Sequence, residues 1–217
     1  MTDDQPETTP RATRAKGDAR RREILDTARE LFSERGFNSV GIAEIAENVG
    51  LTQAGLLYHF PSKASLLLAV LEERERRNDE AENRWIEAGN DYISAFLHTL
   101  QTNERSPSLV QLFAVLSAEG IAATHPSHDW WVSRYERLVG NATAGLSGVV
   151  DPSRLPAGVT TETVARWLIA MSDGLRIQWL LSPGSLNRHH TVAQFAALLE
   201  PYLKPSVDGS STTDPET

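Results

Sequence analysis

The chain has 217 residues, no cysteine and a formal net charge of −8. That length accommodates one large domain or a small domain joined to a bigger one, with a sizeable core either way, and the missing cysteine excludes disulfides, thiolate metal sites and cysteine nucleophiles. The acidity is uneven: residues 1–63 hold nine Lys and Arg against ten Asp and Glu, the remainder twelve against nineteen, and Arg11 to Arg22 hold six basic residues to one acidic, so the N-terminal end remains compatible with a nucleic-acid partner.

Residues 1–17 are rich in Thr, Asp, Pro and Arg and nearly devoid of apolar side chains, a composition expected to stay a disordered basic arm. Arg11, Arg14 and Lys16 are candidates for phosphate or minor-groove contact from that arm, beside a plain solubilising role. The acidic start carries no apolar stretch of a secretory signal. The longest clean apolar run, Leu66 to Leu71, falls far short of the ~18 residues of a membrane span. A cytoplasmic protein without a membrane partner is expected.

A first helix is predicted from Asp18 to Arg35, on the stripe Ile24, Leu25, Ala28, Leu31 and Phe32, with Gly36 as its stop. Phe37 and Val40 should pack beneath the next helix, in a three-helix core with Ile45 and Leu57. The stretch from Gly41 to Phe60 then reads as a helix-turn-helix. Ile42, Ile45, Ala46 and Val49 mark one apolar face, and Leu56, Leu57 and Phe60 mark a second. Between them Gly50 supplies the left-handed conformation that ends a helix, Thr52 is placed to cap the next, and Leu51 with Leu56 has the spacing of a hydrophobic staple.

In such a unit the second helix enters the major groove with its N-terminal residues at the base edges. The candidates are therefore Thr52, Gln53, Ala54 and Gly55, with Tyr58 and His59 one turn on. Glutamine pairs with adenine and an alanine methyl touches a thymine methyl. Pro61 ends this helix and Ser62 caps another, with Lys63 in its first turn where a phosphate would meet both a charge and a helix N-terminus. The helix from Ser62 carries Leu66, Leu67, Val70 and Leu71 and continues into EERERRNDEAENR, where Glu72 with Arg76 and Glu73 with Arg77 are four apart in the favourable order.

Within Arg21 to Leu71, the runs REILDTARELFSERGFNSV, IAEIAENVGL and GLLYHFPSKASLLLAVL resemble the N-terminal domain of the TetR family of bacterial transcriptional repressors. Members of that family usually have Ser or Thr where this chain has Gly41, and often a basic residue where it has Ala43. The resemblance thus implies that Gly41 and Ala43 belong with the DNA-binding set, with one capping hydroxyl and one DNA contact missing there, and Glu44 retains half of a capping box. The resemblance implies a ligand cavity among the helices after the DNA domain, and it favours repression.

Beyond Trp85 the chain divides into amphipathic segments at about Asp91–Asn103, Pro107–Ala123, Ser127–Val150, Thr161–Leu181 and Thr191–Leu203, separated by proline-containing breaks. No β-branched alternation interrupts them, so the fold class is all-α. The expected layout is a helix-turn-helix DNA-binding domain over 18–78, a larger helical regulatory and dimerisation domain over 79–204, and a disordered tail over 205–217.

The last two segments offer more apolar surface than a helical hairpin hides, so Trp167, Met171, Gly174, Leu175, Phe195 and Leu199 are candidates for a homodimer interface. WLIAMSDGLRIQWLLSP also resembles the end of the TetR-family ligand domain. In the middle segments Trp85, Tyr92, Phe96, Phe113, Trp130 and Trp131 are aromatic candidates for the lining of a cavity. Gln111, Glu119 and Arg134 would orient a small, largely apolar effector there. Each aromatic alone reads more often as plain core than as cavity lining. His125 and His128 lie three apart, but with Pro126 between them and no third ligand they read as surface caps, and no cofactor or metal is expected.

Together these features describe a ligand-responsive regulator, released by its effector from a palindromic double-stranded DNA operator. A constitutive regulator or activator without effector, and a helical interaction module, are the alternatives. An enzyme would need a catalytic motif, and no glycine-rich phosphate loop, zinc-binding helix motif or nucleophile elbow is present.

Overall fold

The computed structural model describes residues 10–204, with side chains from residue 15 onward. Nine helices form among the described residues, and no strand. They are α1 (Pro10–Ser39), α2 (Ile42–Asn48), α3 (Gln53–His59), α4 (Lys63–Glu87), α5 (Tyr92–Glu104), α6 (Pro107–Glu119), α7 (His128–Val149), α8 (Thr161–Leu181) and α9 (Arg188–Ala197). Short 3-10 turns at Pro152–Arg154 and Glu200–Tyr202 follow α7 and α9. A bridge between Val150 and Leu203 closes the C-terminal end. No single helix here is long and apolar enough to cross a membrane.

α1 begins eight residues before the expected start, so residues 10–17, expected as part of a disordered arm, are helical. Proline at the first helical position loses no hydrogen bond, and the Ala and Arg residues after it are good helix formers, which offsets the shortage of apolar anchors. Residues 1–9 and the expected tail, 205–217, lie outside the described residues. At the other end Gly36 breaks α1 with φ 76° and ψ 169°, a conformation that costs a side-chain-bearing residue dearly. A Cβ there would also come within 2.6 Å of Glu119 Oε1.

Two apolar clusters hold the chain together. The first joins Ile24, Phe32, Ile45, Leu56, Leu66 and Leu67 of the helix-turn-helix unit to Leu112, Phe113 and Leu116 of α6 and Trp131 of α7. Leu57 is only partly buried and is not among its members, so Leu56 and Phe60 do the packing expected of it. The second cluster joins Tyr92 and Phe96 of α5 with Leu146 of α7, Leu168 and Leu175 of α8 and Val192 of α9. α4 runs unbroken across residues 78 and 79, where a domain boundary was expected. Its N-terminal half belongs to the first cluster and its C-terminal half reaches the second bundle.

Two of the C-terminal helices are shorter than the periodicity predicts. α6 stops at Glu119 rather than Ala123 because His125 and His128 tie the following turn: His125 Nδ1 lies 2.8 Å from Ser127 Oγ, and His128 Nδ1 lies 2.9 Å from the Gly120 carbonyl. His125 is buried and not the surface cap expected of it. α9 begins earlier, at Arg188, where Asn187 accepts a hydrogen bond from the His190 N–H at 2.9 Å. It ends earlier, at Ala197, because Pro201 forces the last residues into a 3-10 turn.

Candidate functional site

The helix-turn-helix is built from local chemistry. Gly50 adopts φ 64°, Thr52 Oγ1 accepts from the Gly55 N–H at 3.1 Å, and Ser62 and Ser65 exchange hydrogen bonds of 3.0 Å in a reciprocal capping box. Gly50 ends α2, and Thr52 and the Ser62–Ser65 pair satisfy donors that a helix start leaves free. α2 lacks such a cap: Gly41 offers no side chain, and Glu44 pairs with Arg35 instead of returning to the Gly41 backbone. Arg35 also donates to the Ser39 carbonyl at 3.0 Å, so it ties Glu44 of α2 to the end of α1.

This frame presents one polar face. Thr52, Gln53 and Ala54 are exposed, Gly55 and His59 are partly exposed, and Tyr58 is 86% exposed with its ring edge-on to His59. Gly41 and Ala43 are also exposed, at the start of α2. Lys63 differs from its sequence-based role. Its ammonium lies 4.2 Å from the centroid of the Phe37 ring, and burial lowers its pKa against the opposing attraction of Glu119. The cation is drawn inward by an aromatic face and a carboxylate.

Two residues that sequence reasoning passed over brace the same face. Arg21 donates to the His59 carbonyl at 3.2 Å and lies 4.1 Å from the Phe60 ring centroid, gripping the end of α3. Arg20 reaches the Gly50 carbonyl at 3.5 Å. Lys16, Arg20, Glu23 and His59 border one shallow hollow beside α3, where Arg20 pairs with Glu23 at 2.6 Å and Lys16 adds a cation suited to a DNA phosphate. The basic count of Arg11 to Arg22 signalled charge at this end, but not its contact with α3.

A second candidate site is a cavity of about 110 Å³ between α4, α5, α6, α7, α8 and α9. Of the nine residues expected to line it, Phe96, Phe113 and Arg134 do. The other six are elsewhere for identifiable reasons. Trp85 stacks on His98 at 3.8 Å between ring centroids and borders an outer groove. The Tyr92 ring fills the space left by Gly145, and the Trp131 ring fills that left by Gly120. Trp130 packs edge-on against Trp131 toward the surface, and Gln111 is exposed. Glu119 sits at the joint between the two halves, where its Oε2 accepts from the Phe37 N–H at 2.9 Å.

The lining is also more charged than the aromatic cavity expected. Glu75, Asp79 and Glu82 of α4 face Arg134 of α7 and Arg176 and Arg188 of α8 and α9 across it. Arg134 pairs with Glu75 at 3.0 Å. Arg74 pairs with Asn103, and burial brings its guanidinium down to about 10, still charged at neutral pH. Burial, and then the neighbouring acids, raise Glu82 and Asp79. Along α4, Arg76 turns to Glu73 and Glu80 rather than to Glu72, while Arg77 keeps its expected partner Glu73 at 2.7 Å.

The outer face of α8 is the third feature. Trp167 is 48% exposed and Leu181 is 81% exposed, and with Gly174 and Ile177 they form one apolar stripe along the helix. Nothing lies within 4 Å of a Cβ built on Gly174. Leu175 and Leu199, expected at an interface, are instead buried in the second cluster, and Met171 and Phe195 pack against it. They occupy the inward stripe of the same helices, which the bundle itself consumes.

Comparison with known proteins agrees with this architecture. Residues 24–70 match the family described as bacterial regulatory proteins, tetR family. Residues 93–204, slightly more than half of the chain, match the BetI-type transcriptional repressor C-terminal domain. The regulator AcrR of Shigella flexneri is 26% identical over 205 residues, covering 89% of this chain and 94% of its own. The fold is shared with NalD of Pseudomonas aeruginosa, secondary repressor of the MexAB-OprM efflux pump, at TM-score 0.67 and 18% identity, covering 88% of this chain and 99% of that one. A transcriptional regulator from Saccharomonospora viridis, crystallised with choline, superposes at TM-score 0.68 and 22% identity, covering 85% of this chain and 98% of that one. The chain belongs to the TetR family of bacterial transcriptional regulators.

Proposed function

We propose that the protein is a ligand-responsive repressor that binds a palindromic operator as a homodimer and leaves it when a small molecule fills the cavity. The observation that carries the DNA half is the exposed face of α3, Gln53, Ala54 and Tyr58, on a helix whose start and end are fixed by Thr52 and Arg21. A recognition helix works by presenting few side chains from a rigid frame. On this reading residues 18–78 form the DNA-binding unit and 79–204 the regulatory and dimerisation unit. Lys16 and Arg20 join the operator contact, and Lys63 acts behind it.

The dimer reading rests on the outward stripe of α8. Half-sites one helical turn apart require two copies, and Gly174 supports close approach by a second α8. Replacing Trp167 and Leu181 by Glu should yield a folded monomer in sedimentation; an undisturbed dimer would place the interface elsewhere.

Release follows from the path of α4 and α6. α4 starts immediately behind α3 and carries Glu75 and Glu82 to the cavity, while α6 carries Phe113 to the cavity and holds the kink of α1 through Glu119. A ligand that spreads these helices shifts the separation of the two recognition helices, and a 100-fold preference for the spread form corresponds to about 2.7 kcal/mol, within the usual range for allosteric coupling. The test is binding to a fragment of the protein's own promoter region. Gln53→Ala with Tyr58→Ala should weaken it at least ~10-fold while leaving thermal stability unchanged, because neither side chain supports the core. Unchanged affinity would remove α3 from the interface.

A further inference from the structure

We infer that the cavity takes a small organic monocarboxylate, clasped by the guanidinium groups of Arg188 and Arg176. This deepens the effector half of the reading above and rests on it only for the consequence at the operator. Arg188 is 4% exposed and Arg176 is 9% exposed. The Nε and Nη1 of Arg188 and the Nε of Arg176 are buried without a hydrogen-bond partner among the described residues. What contacts they make are long: Arg188 Nη2 to Ser172 Oγ at 3.4 Å, and Arg176 Nη1 to Asp173 Oδ1 at 3.4 Å. Asp173 is itself shared, its Oδ2 accepting from the Tyr135 hydroxyl at 2.7 Å.

A buried guanidinium with free N–H groups carries a desolvation cost of several kcal/mol unless an anion meets it. Here two lie on one wall of one cavity, close enough that Arg176 adds to burial in lowering the pKa of Arg188. The Nε and Nη1 of Arg188 and the Nε of Arg176 each keep an N–H that a carboxylate oxygen would accept.

Two features narrow the class. A cavity of about 110 Å³ is smaller than the ~150 Å³ engineered cavity that admits benzene, so the ligand has about six non-hydrogen atoms or fewer. The remaining walls set its charge. Asp79 and Glu82 on α4 form no ion pair among the described residues, and a second negative charge, as on phosphate, would face them. Phe96, Leu138 and Ile169 supply apolar surface for a short hydrocarbon tail.

The full-length protein titrated calorimetrically with butyrate tests this, with butyramide, inorganic phosphate and choline as comparisons. Butyrate should bind at least ~10-fold more tightly than each of the others, the factor expected from a charge-assisted hydrogen bond worth at least 1.4 kcal/mol. Arg188→Met should abolish that preference and also raise the thermal midpoint of the free protein, because an apolar chain of similar length removes a buried charge whose Nε–H and Nη1–H have no partner and which only the attraction of Glu104 and Asp173 offsets. Arg188→Lys should retain charge but lose most of the preference. No detectable butyrate binding, equal binding of butyramide, tighter binding of choline or phosphate, or an Arg188→Met protein that keeps the butyrate preference would each overturn the proposal. Operator binding measured without any of these compounds reports separately on the DNA reading.

Discussion

The helix-turn-helix and the cavity are built on opposite principles. In the first, the starts of α3 and α4 are answered within three residues, as Thr52 answers Gly55 and Ser62 answers Ser65, while α2 goes uncapped, and the unit's apolar side chains are sealed into one cluster. In the second, the walls come from six helices far apart in sequence, and Arg176 and Arg188 keep N–H groups without a partner beside Asp79 and Glu82, which form no ion pair among the described residues. A completed unit can serve as a rigid reading head, because nothing inside it has a reason to rearrange. An incomplete one would gain free energy from a ligand that met its unused groups, as the proposed sensor requires.

The largest expected effect comes from damaging the completed unit. Leu56→Ala removes a fully buried side chain from the first cluster and should cost ~2–5 kcal/mol in urea unfolding. If the loss is below ~1 kcal/mol, the cluster is looser than its burial indicates. The contrast with a cavity variant such as Arg188→Met, where stability should rise, puts the two building principles on one scale.

A smaller effect is expected at the joint between the regions. Glu119→Ala leaves the buried Phe37 N–H without its acceptor and should cost roughly 1–3 kcal/mol. Ligand-free operator affinity should stay near that of the parent, while the effect of a cavity ligand on that affinity should shrink. A variant that still transmits the full ligand response would show that coupling bypasses α6 and travels along α4 alone.

The smallest effect is one of pH. Burial lowers the pKa of His125, opposed by Glu119 and aided by Lys63. A lowered imidazole favours the neutral ring in the folded state, so the unfolded chain takes up the proton first. The contribution is complete above the ordinary imidazole value of ~6.5 and is lost as pH falls from there through the lowered folded value. Thermal midpoints at pH 7.5 and 5.5 should therefore converge for the parent and His125→Asn on acidification. Parallel curves would mean that the ring is solvated.

Legibility in the sequence follows the same division. The helix-turn-helix was readable because its determinants are local: Gly50 for the turn, Thr52 and Ser62 for the caps, and the three- and four-residue spacing of Ile45, Val49, Leu56 and Phe60. α8 matched its expected bounds, Thr161–Leu181, because Thr160 caps it and Pro183 follows it. The cavity was readable only as a class of feature. Aromatic residues at helical spacing do not declare which way they face, and Tyr92 and Trp131 were drawn away by the small residues Gly145 and Gly120, distant in sequence. Arg188 carried no sequence signal, since an arginine at a helix start beside two histidines resembles any solvated terminus.

By itself, then, the sequence determined the helices, the turn between α2 and α3, and the polar face that α3 exposes, all through interactions spanning a few residues. Tertiary structure alone decided which stripe of α8 is consumed by the bundle and which is left free. It also turned Lys63 and Glu119 toward the joint between the two halves, and it buried two arginines on one cavity wall. Those outcomes depend on contacts between helices remote in the chain, where packing volume and charge compensation, rather than local propensity, select the arrangement.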